Sequence, residues 1–155
     1  GNAGILGKLT PLPHLDPKVF DDVMAVNVTA NFRLLRSLDP LLRASDAGRA
    51  VFVTSGLAQK CFAYWGGYSM SKAALEAMVK TYATENEQNA IRANCFSPGA
   101  TRTKMRAQAM PGEDPETLPS AEEVAAQIIP LCLPSFTDTG AVYKYAPSGL
   151  LKFVA

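Results

Sequence analysis

Apolar side chains recur at helical spacing through the first third of the chain: Phe20, Val23, Met24, Ala30, Leu34, Leu38, Leu41 and Leu42, with Asn27 on the same stripe. Asp16-Pro17 precedes them as an N-cap residue and a proline at the first helical position. The spacing predicts one long helix over residues 17–44, bent or interrupted near Pro40, and closed by Asp46-Ala47-Gly48. Residues 50–54 (Ala-Val-Phe-Val-Thr) form a short apolar run without alternation, which suits a strand covered on both faces. After a loop at 56–66, helical spacing returns from 67 to 87 with Ala73, Leu75, Met78, Val79 and Tyr82. Residues 91–96 read as a second strand, stopped by Pro98-Gly99, and 100–119 as a long loop carrying Met105, Met110, Pro111, Gly112 and Pro115. Ser120 and Glu123 form a capping box for a helix with Val124, Ile128, Leu131 and Cys132. Thr139-Gly140 turns into a last strand at 141–145.

Strands alternating with helices imply an α/β fold on a parallel sheet with right-handed crossovers. Ligands in such sheets bind beyond the carboxyl ends of the strands. That rule selects Ser55, after the first buried strand, and Ser97-Pro98-Gly99, after the second.

Composition narrows the function classes. The chain has 155 residues, 48% hydrophobic and only 19% charged, with a net charge of +1. The balance argues against a nucleic-acid footprint, and no apolar stretch approaches the ~18 residues of a membrane span. No basic region followed by an apolar one opens the chain, so no secretory signal is expected. Cys61, Cys95 and Cys132 are odd in number and widely spaced, which suits reduced cysteines in a cytoplasmic protein. His14 is the single histidine; a His-rich metal site is excluded, and a Ser-His-Asp triad would need this one loop residue. No metal site is expected.

Tyr68 and Lys72 stand at i and i+4, on one face of a helix. An ammonium close to a phenol favours the phenolate, and a tyrosine tuned in this way exchanges a proton with an alcohol or carbonyl oxygen. Alone, the same spacing also describes an ordinary solvated helix face. Ser55 lies thirteen residues earlier at a strand end, where a hydroxyl can donate to a substrate carbonyl; a turn serine is the alternative. Asn27 is a polar residue on an apolar stripe and must be hydrogen-bonded if buried, either for chemistry or to satisfy a kink. Asn31, one turn later, weakens its singularity.

Together, Asn2-Ala3-Gly4, Asn27 in Val-Asn-Val-Thr, Ser55, Tyr68-Ser69-Met70-Ser71-Lys72 and Ser97-Pro98-Gly99-Ala100-Thr101-Arg102-Thr103 resemble the short-chain dehydrogenase/reductase family in order and spacing. The resemblance implies a catalytic tetrad of Asn27, Ser55, Tyr68 and Lys72. Tyr68 would be the general acid in reduction and the base in oxidation, and Ser55 would polarise the carbonyl. Lys72 would lower the tyrosine pKa and hold the nicotinamide ribose, and Asn27 would anchor a water linking Lys72 to solvent. Pro98 and Gly99 would border the nicotinamide. Thr103 would lie near the carboxamide or phosphate, and Thr101, where the family more often has Ile or Val, would make its contact through its backbone. Asn2, Ala3 and Gly4 would end a strand beside the adenine-side ribose. The implied cofactor is NAD(P), with NADP slightly favoured, and the substrate a small carbonyl or alcohol.

The family's Gly-rich phosphate turn has no counterpart here, nor has the residue that chooses between NAD and NADP. In family terms the chain begins at the end of the fourth strand, so it is expected to form an incomplete Rossmann-type domain, the catalytic half of a longer parent. The alternative is a catalytically inactive fragment that acts only in folding or oligomerisation. The resemblance further implies a homodimer or homotetramer through the helices near 17–44 and 67–87, with Leu75, Met78 and Val79 serving either core or interface. It makes 100–119 a mobile substrate loop.

Overall fold

The computed structural model describes residues 1–153. Three parallel strands form the sheet, β1 (Arg49–Val53), β2 (Arg92–Ser97) and β3 (Val142–Lys144), and a fourth, β4 (Leu151–Phe153), closes it antiparallel in the order β1-β2-β3-β4. Gly1 extends the ladder beyond β1: its nitrogen donates to Val51 O, and Val53 N donates to Gly1 O, both at 2.9 Å. The expected α/β architecture with an incomplete Rossmann-type sheet is what the chain adopts.

Alternate side chains of each strand enter two separate cores. Phe52, Ala93, Cys95 and Val142 pack with Leu35, Leu75, Val79 and Tyr82 from the helices on one face. Phe96 and Tyr143 pack with Val124 and Leu131 on the other. Leu75 and Val79 therefore belong to the core, and Met78 packs against its edge.

The long first helix departs from expectation in one place. It runs as α1 (Pro17–Met24), a π-helical turn over Ala25–Thr29, and α2 (Ala30–Ala44). Asp16 caps it, accepting from Lys18 N and Val19 N as predicted. The irregularity falls at Asn27, not at Pro40, which lies inside α2. Near its C-terminal end the helix accommodates the missing N–H of Pro40, whereas the π turn is set by what Asn27 bonds.

The loop 56–66 contains a single helical turn, α3 (Leu57–Lys60), which ends at Cys61 in the left-handed region (φ 48°). The predicted helix from 67 is α4 (Gly66–Glu85). The stretch 100–119 is not wholly loop: Thr103 caps a helix, α5 (Lys104–Ala109), by accepting from Arg106 N. The Ser120–Glu123 capping box is present and starts α6 (Ala121–Ala126); the chain then tightens into a 3-10 turn at Ile129–Cys132, since Pro130 has no N–H to continue an α-helix.

Candidate active site

The carboxyl ends of β1 and β2 open onto a cavity of about 600 Å³. The expected residues Asn2, Ala3, Gly4, Ser55, Tyr68, Lys72, Pro98, Gly99, Thr101 and Thr103 all line it. Asn27 does not; it lies behind the wall, fully buried.

Two helices and one strand end set the geometry. Ser55 follows β1, and its oxygen accepts from Leu57 N at 3.2 Å as the chain turns into α3. Tyr68 enters in the first turn of α4 and lines the same cavity as Ser55. Lys72, one turn later and 3% exposed, holds its ammonium 5.7 Å from the centroid of the Tyr68 ring, within cation–π range. The same ammonium donates to Val53 O at 2.8 Å. That is its one hydrogen bond among the described residues, which leaves two of its three N–H donors for a ligand in the cavity that Lys72 lines. Gly4 lies against this corner: a Cβ there would make ordinary contacts, 3.4 Å from Asn27 Oδ1 and 3.5 Å from Lys72 Nζ.

Electrostatics corrects one expectation. Burial pushes the Tyr68 phenol above its ordinary value, and the hydrogen bond with Ser55 pulls it part of the way back. The lowering expected from Lys72 is not seen, because the ammonium lies over the ring rather than at the phenolic oxygen and is itself desolvated. Burial brings Lys72 down to about 8. All three cysteines are free; Cys61 and Cys132 are exposed, and burial pushes the Cys95 thiol up to about 12, which keeps it an inert thiol.

Asn27 spends its amide on the scaffold. Oδ1 accepts from Ile5 N at 2.8 Å, and Nδ2 donates to Ile5 O and to Ser71 Oγ, both at 2.9 Å. Ser71 Oγ donates onward to Tyr68 O at 2.7 Å. The main-chain carbonyl of Asn27 is occupied as well, accepting from Asn31 Nδ2 at 2.9 Å. The residue therefore ties the Gly4 corner, the π turn and the start of α4 together. Asn31, which seemed to dilute the signal, belongs to the same network.

On the β2 side, Gly99 turns with φ +70°, a conformation that suits glycine. The Thr101 hydroxyl donates to Pro98 O at 3.3 Å, leaving its backbone as the more available group. Thr103 both caps α5 and donates to Thr101 O at 3.3 Å. Among the lining residues that the sequence reading does not name are Leu57, Trp65, Arg106 and Ala109. Trp65 meets Tyr68 edge to face with ring centroids 6.0 Å apart. Arg106 is held by Glu113 through two bonds of 2.6 and 2.7 Å. His14 ends an exposed 3-10 turn and is not among the cavity residues.

Residues 1–114 match the short chain dehydrogenase family model, and the chain belongs to that family. The uncharacterized oxidoreductase YciK of Escherichia coli K12 is 47% identical over 132 residues, covering 85% of this chain and 50% of that protein. A short chain dehydrogenase structure from Salmonella enterica serovar Typhi superposes with a TM-score of 0.89 at 41% identity, covering 94% of this chain and 60% of that one. An Escherichia coli CFT073 structure of the same class, complexed with NADPH, superposes with a TM-score of 0.87 at 43% identity, covering 94% and 61%. The chain thus spans about half the length of the curated relative and three fifths of the solved ones. No helix among the described residues is long and apolar enough to cross a membrane.

Proposed function

We propose that this chain carries the catalytic part of a nicotinamide-dependent oxidoreductase that interconverts small carbonyl compounds and alcohols. The observation that carries the reading is the convergence of Ser55, Tyr68 and Lys72 on one cavity, with the Lys72 ammonium 5.7 Å from the centre of the Tyr68 ring. The residues fit the nicotinamide-ribose end of such a cofactor: Lys72 has N–H donors to spare for ribose hydroxyls, and Gly4, Pro98, Gly99, Thr101 and Thr103 border the same space. When bound, the nicotinamide supplies a hydride to the substrate carbonyl carbon, or accepts one from the alcohol.

In reduction, Tyr68 gives its phenolic proton to the carbonyl oxygen as the carbon is reduced, and Ser55 donates a hydrogen bond to that oxygen. In oxidation both roles reverse in sense, and Tyr68 accepts the alcohol proton. Asn27 holds Tyr68 and the Gly4 corner in register through Ser71 and Ile5. The NADPH complex of the similar E. coli CFT073 protein supports NADP as the cofactor. Exposed Phe32, Leu34, Leu38 and Leu41 on α2 support a homodimer or homotetramer built through α2 and α4. Three free cysteines support a cytoplasmic setting.

The test is NADPH consumption with a panel of small aldehydes and ketones, using the protein at its full encoded length. The second reading, an inactive fragment that only folds and associates, is favoured by the half-length match to YciK. NADPH titration of the 155-residue chain separates the two: tight binding and turnover exclude the fragment reading.

A further inference from the structure

A carboxylate that the proposed chemistry does not use lies two helical turns beyond Tyr68. Glu76 is 5% exposed, at i+4 from Lys72 on α4. Its Oε1 accepts from Thr54 Oγ1 at 2.7 Å and its Oε2 from Gln59 Nε2 at 2.6 Å. Thr54 is the residue before Ser55, and Gln59 lies in α3, four residues after it. One side chain therefore grips both flanks of the segment that presents Ser55.

The other hydrogen bonds of that segment run along the sheet or within the turn. Thr54 N donates to Phe96 O at 2.8 Å and so ends the β1–β2 ladder. Beyond it, Leu57 N donates to Ser55 Oγ and Ala58 N to Ser55 O, both within the turn itself. The Glu76 bonds anchor the turn to another element. They also explain a buried carboxylate: charge-assisted hydrogen bonds to both oxygens offset desolvation.

We infer that Glu76 is a positioning residue that fixes the Ser55 turn to the helix carrying Tyr68 and Lys72, by clamping Thr54 and Gln59. This rests on the oxidoreductase reading for its catalytic consequence, though not for its structural one. Ser55 and Tyr68 come from different elements, and their convergence on one cavity depends on the distance between those elements staying fixed. Glu76 makes α4 the common carrier of all three groups.

The test combines Glu76→Leu, Gln59→Leu and Glu76→Gln in the protein at full encoded length. Glu76→Gln retains both bonds, since its amide oxygen accepts from Gln59 and its NH₂ donates to the Thr54 hydroxyl. Gln59 is exposed, so Gln59→Leu leaves folding intact and keeps the test open should Glu76→Leu not fold. The expected result is that hydrogen exchange at the Leu57 amide speeds up about tenfold or more in Glu76→Leu and Gln59→Leu, the mark of local opening. With it, kcat falls about tenfold or more while the NADPH KM stays within about twofold, because misplacement strikes the reacting geometry. Glu76→Gln stays close to the parent in both. Unchanged exchange at Leu57 in Gln59→Leu overturns the clamp, as does a Glu76→Gln loss equal to that of Glu76→Leu. Faster exchange in a protein that turns over no carbonyl compound keeps the clamp and overturns the oxidoreductase reading.

Discussion

Asn27 and Ser71 are joined by a 2.9 Å hydrogen bond that crosses from the π turn of the first long helix to the start of α4. Through Ser71 this bond reaches the Tyr68 carbonyl, and through the other amide proton it reaches Ile5. The first helix, the segment after Gly4 and the tyrosine helix are thereby locked at one fully buried amide. Asn27→Ala leaves Ile5 N, Ile5 O and Ser71 without their partner, and is expected to cost about 2–3 kcal/mol. Urea unfolding of parent and variant measures it, and a difference below about 0.5 kcal/mol, the range of a neutral surface change, contradicts the tie.

Lys72 makes the fold pH-sensitive in a direction that can be stated. Burial lowers its folded-state pKa from the usual 10.5 to about 8. Below pH 8 both states are protonated, and the folded state bears the full cost of the buried ammonium. Between about 8 and 10.5 the unfolded chain holds a proton that the folded chain has released, so this residue's contribution makes stability rise with pH, by up to about 3 kcal/mol. Lys72→Met is expected to remove that slope, read by urea unfolding across the window. A slope identical in parent and variant excludes the assignment.

Ser55→Ala bears on the tyrosine. The Ser55 hydrogen bond is what draws the Tyr68 phenol back from the value that burial imposes. Without it the phenolate is harder to form, so in the oxidation direction the acidic limb of the rate profile moves to higher pH. Loss of a donor to the substrate oxygen should also lower kcat by about a hundredfold. A limb that stays in place, or moves to lower pH, refutes this assignment of Ser55.

Arg106 lines the cavity and pairs with Glu113 from the segment beyond α5. Both are less than a third exposed (27% and 29%), and two bonds hold the segment after α5 against it. Glu113→Gln is expected to raise the carbonyl-substrate KM several-fold with a stability change under about 1 kcal/mol, as for a single partly exposed pair. Unaltered KM would mean that the pair has no part in shaping the substrate side.

Much of this was legible from the residues themselves. Strand β1 shows in an apolar β-branched run and β2 in a short stretch stopped by Pro98-Gly99, the Asp16 and Ser120 caps in local chemistry, and the cavity residues in their position after strand ends. The π turn was not legible, because one extra residue in a turn hardly disturbs a 3.6-residue pattern, and Pro40 was the stronger breaker signal. Helix α5 was hidden by the Pro and Gly residues that follow it, and Thr103 was seen only as a cofactor contact rather than as its cap. Strand β4 is three residues long and exists through its pairing with β3. Glu76 and Ser71 are buried polar positions on α4, and helical spacing alone does not distinguish such positions from solvated ones. The rise in the Tyr68 pKa depends on burial and on where the ammonium sits, neither of which spacing specifies.

The central claim is that Tyr68 moves the proton. Steady-state NADPH-linked carbonyl reduction by parent and Tyr68→Phe, at full encoded length and with cofactor binding measured in parallel, tests it most directly. Phenylalanine keeps the ring against Trp65 and beneath Lys72 and removes only the hydroxyl. The account predicts retained cofactor binding with kcat lowered by at least about a hundredfold, the scale of a lost general acid; turnover within about twofold of the parent would contradict it.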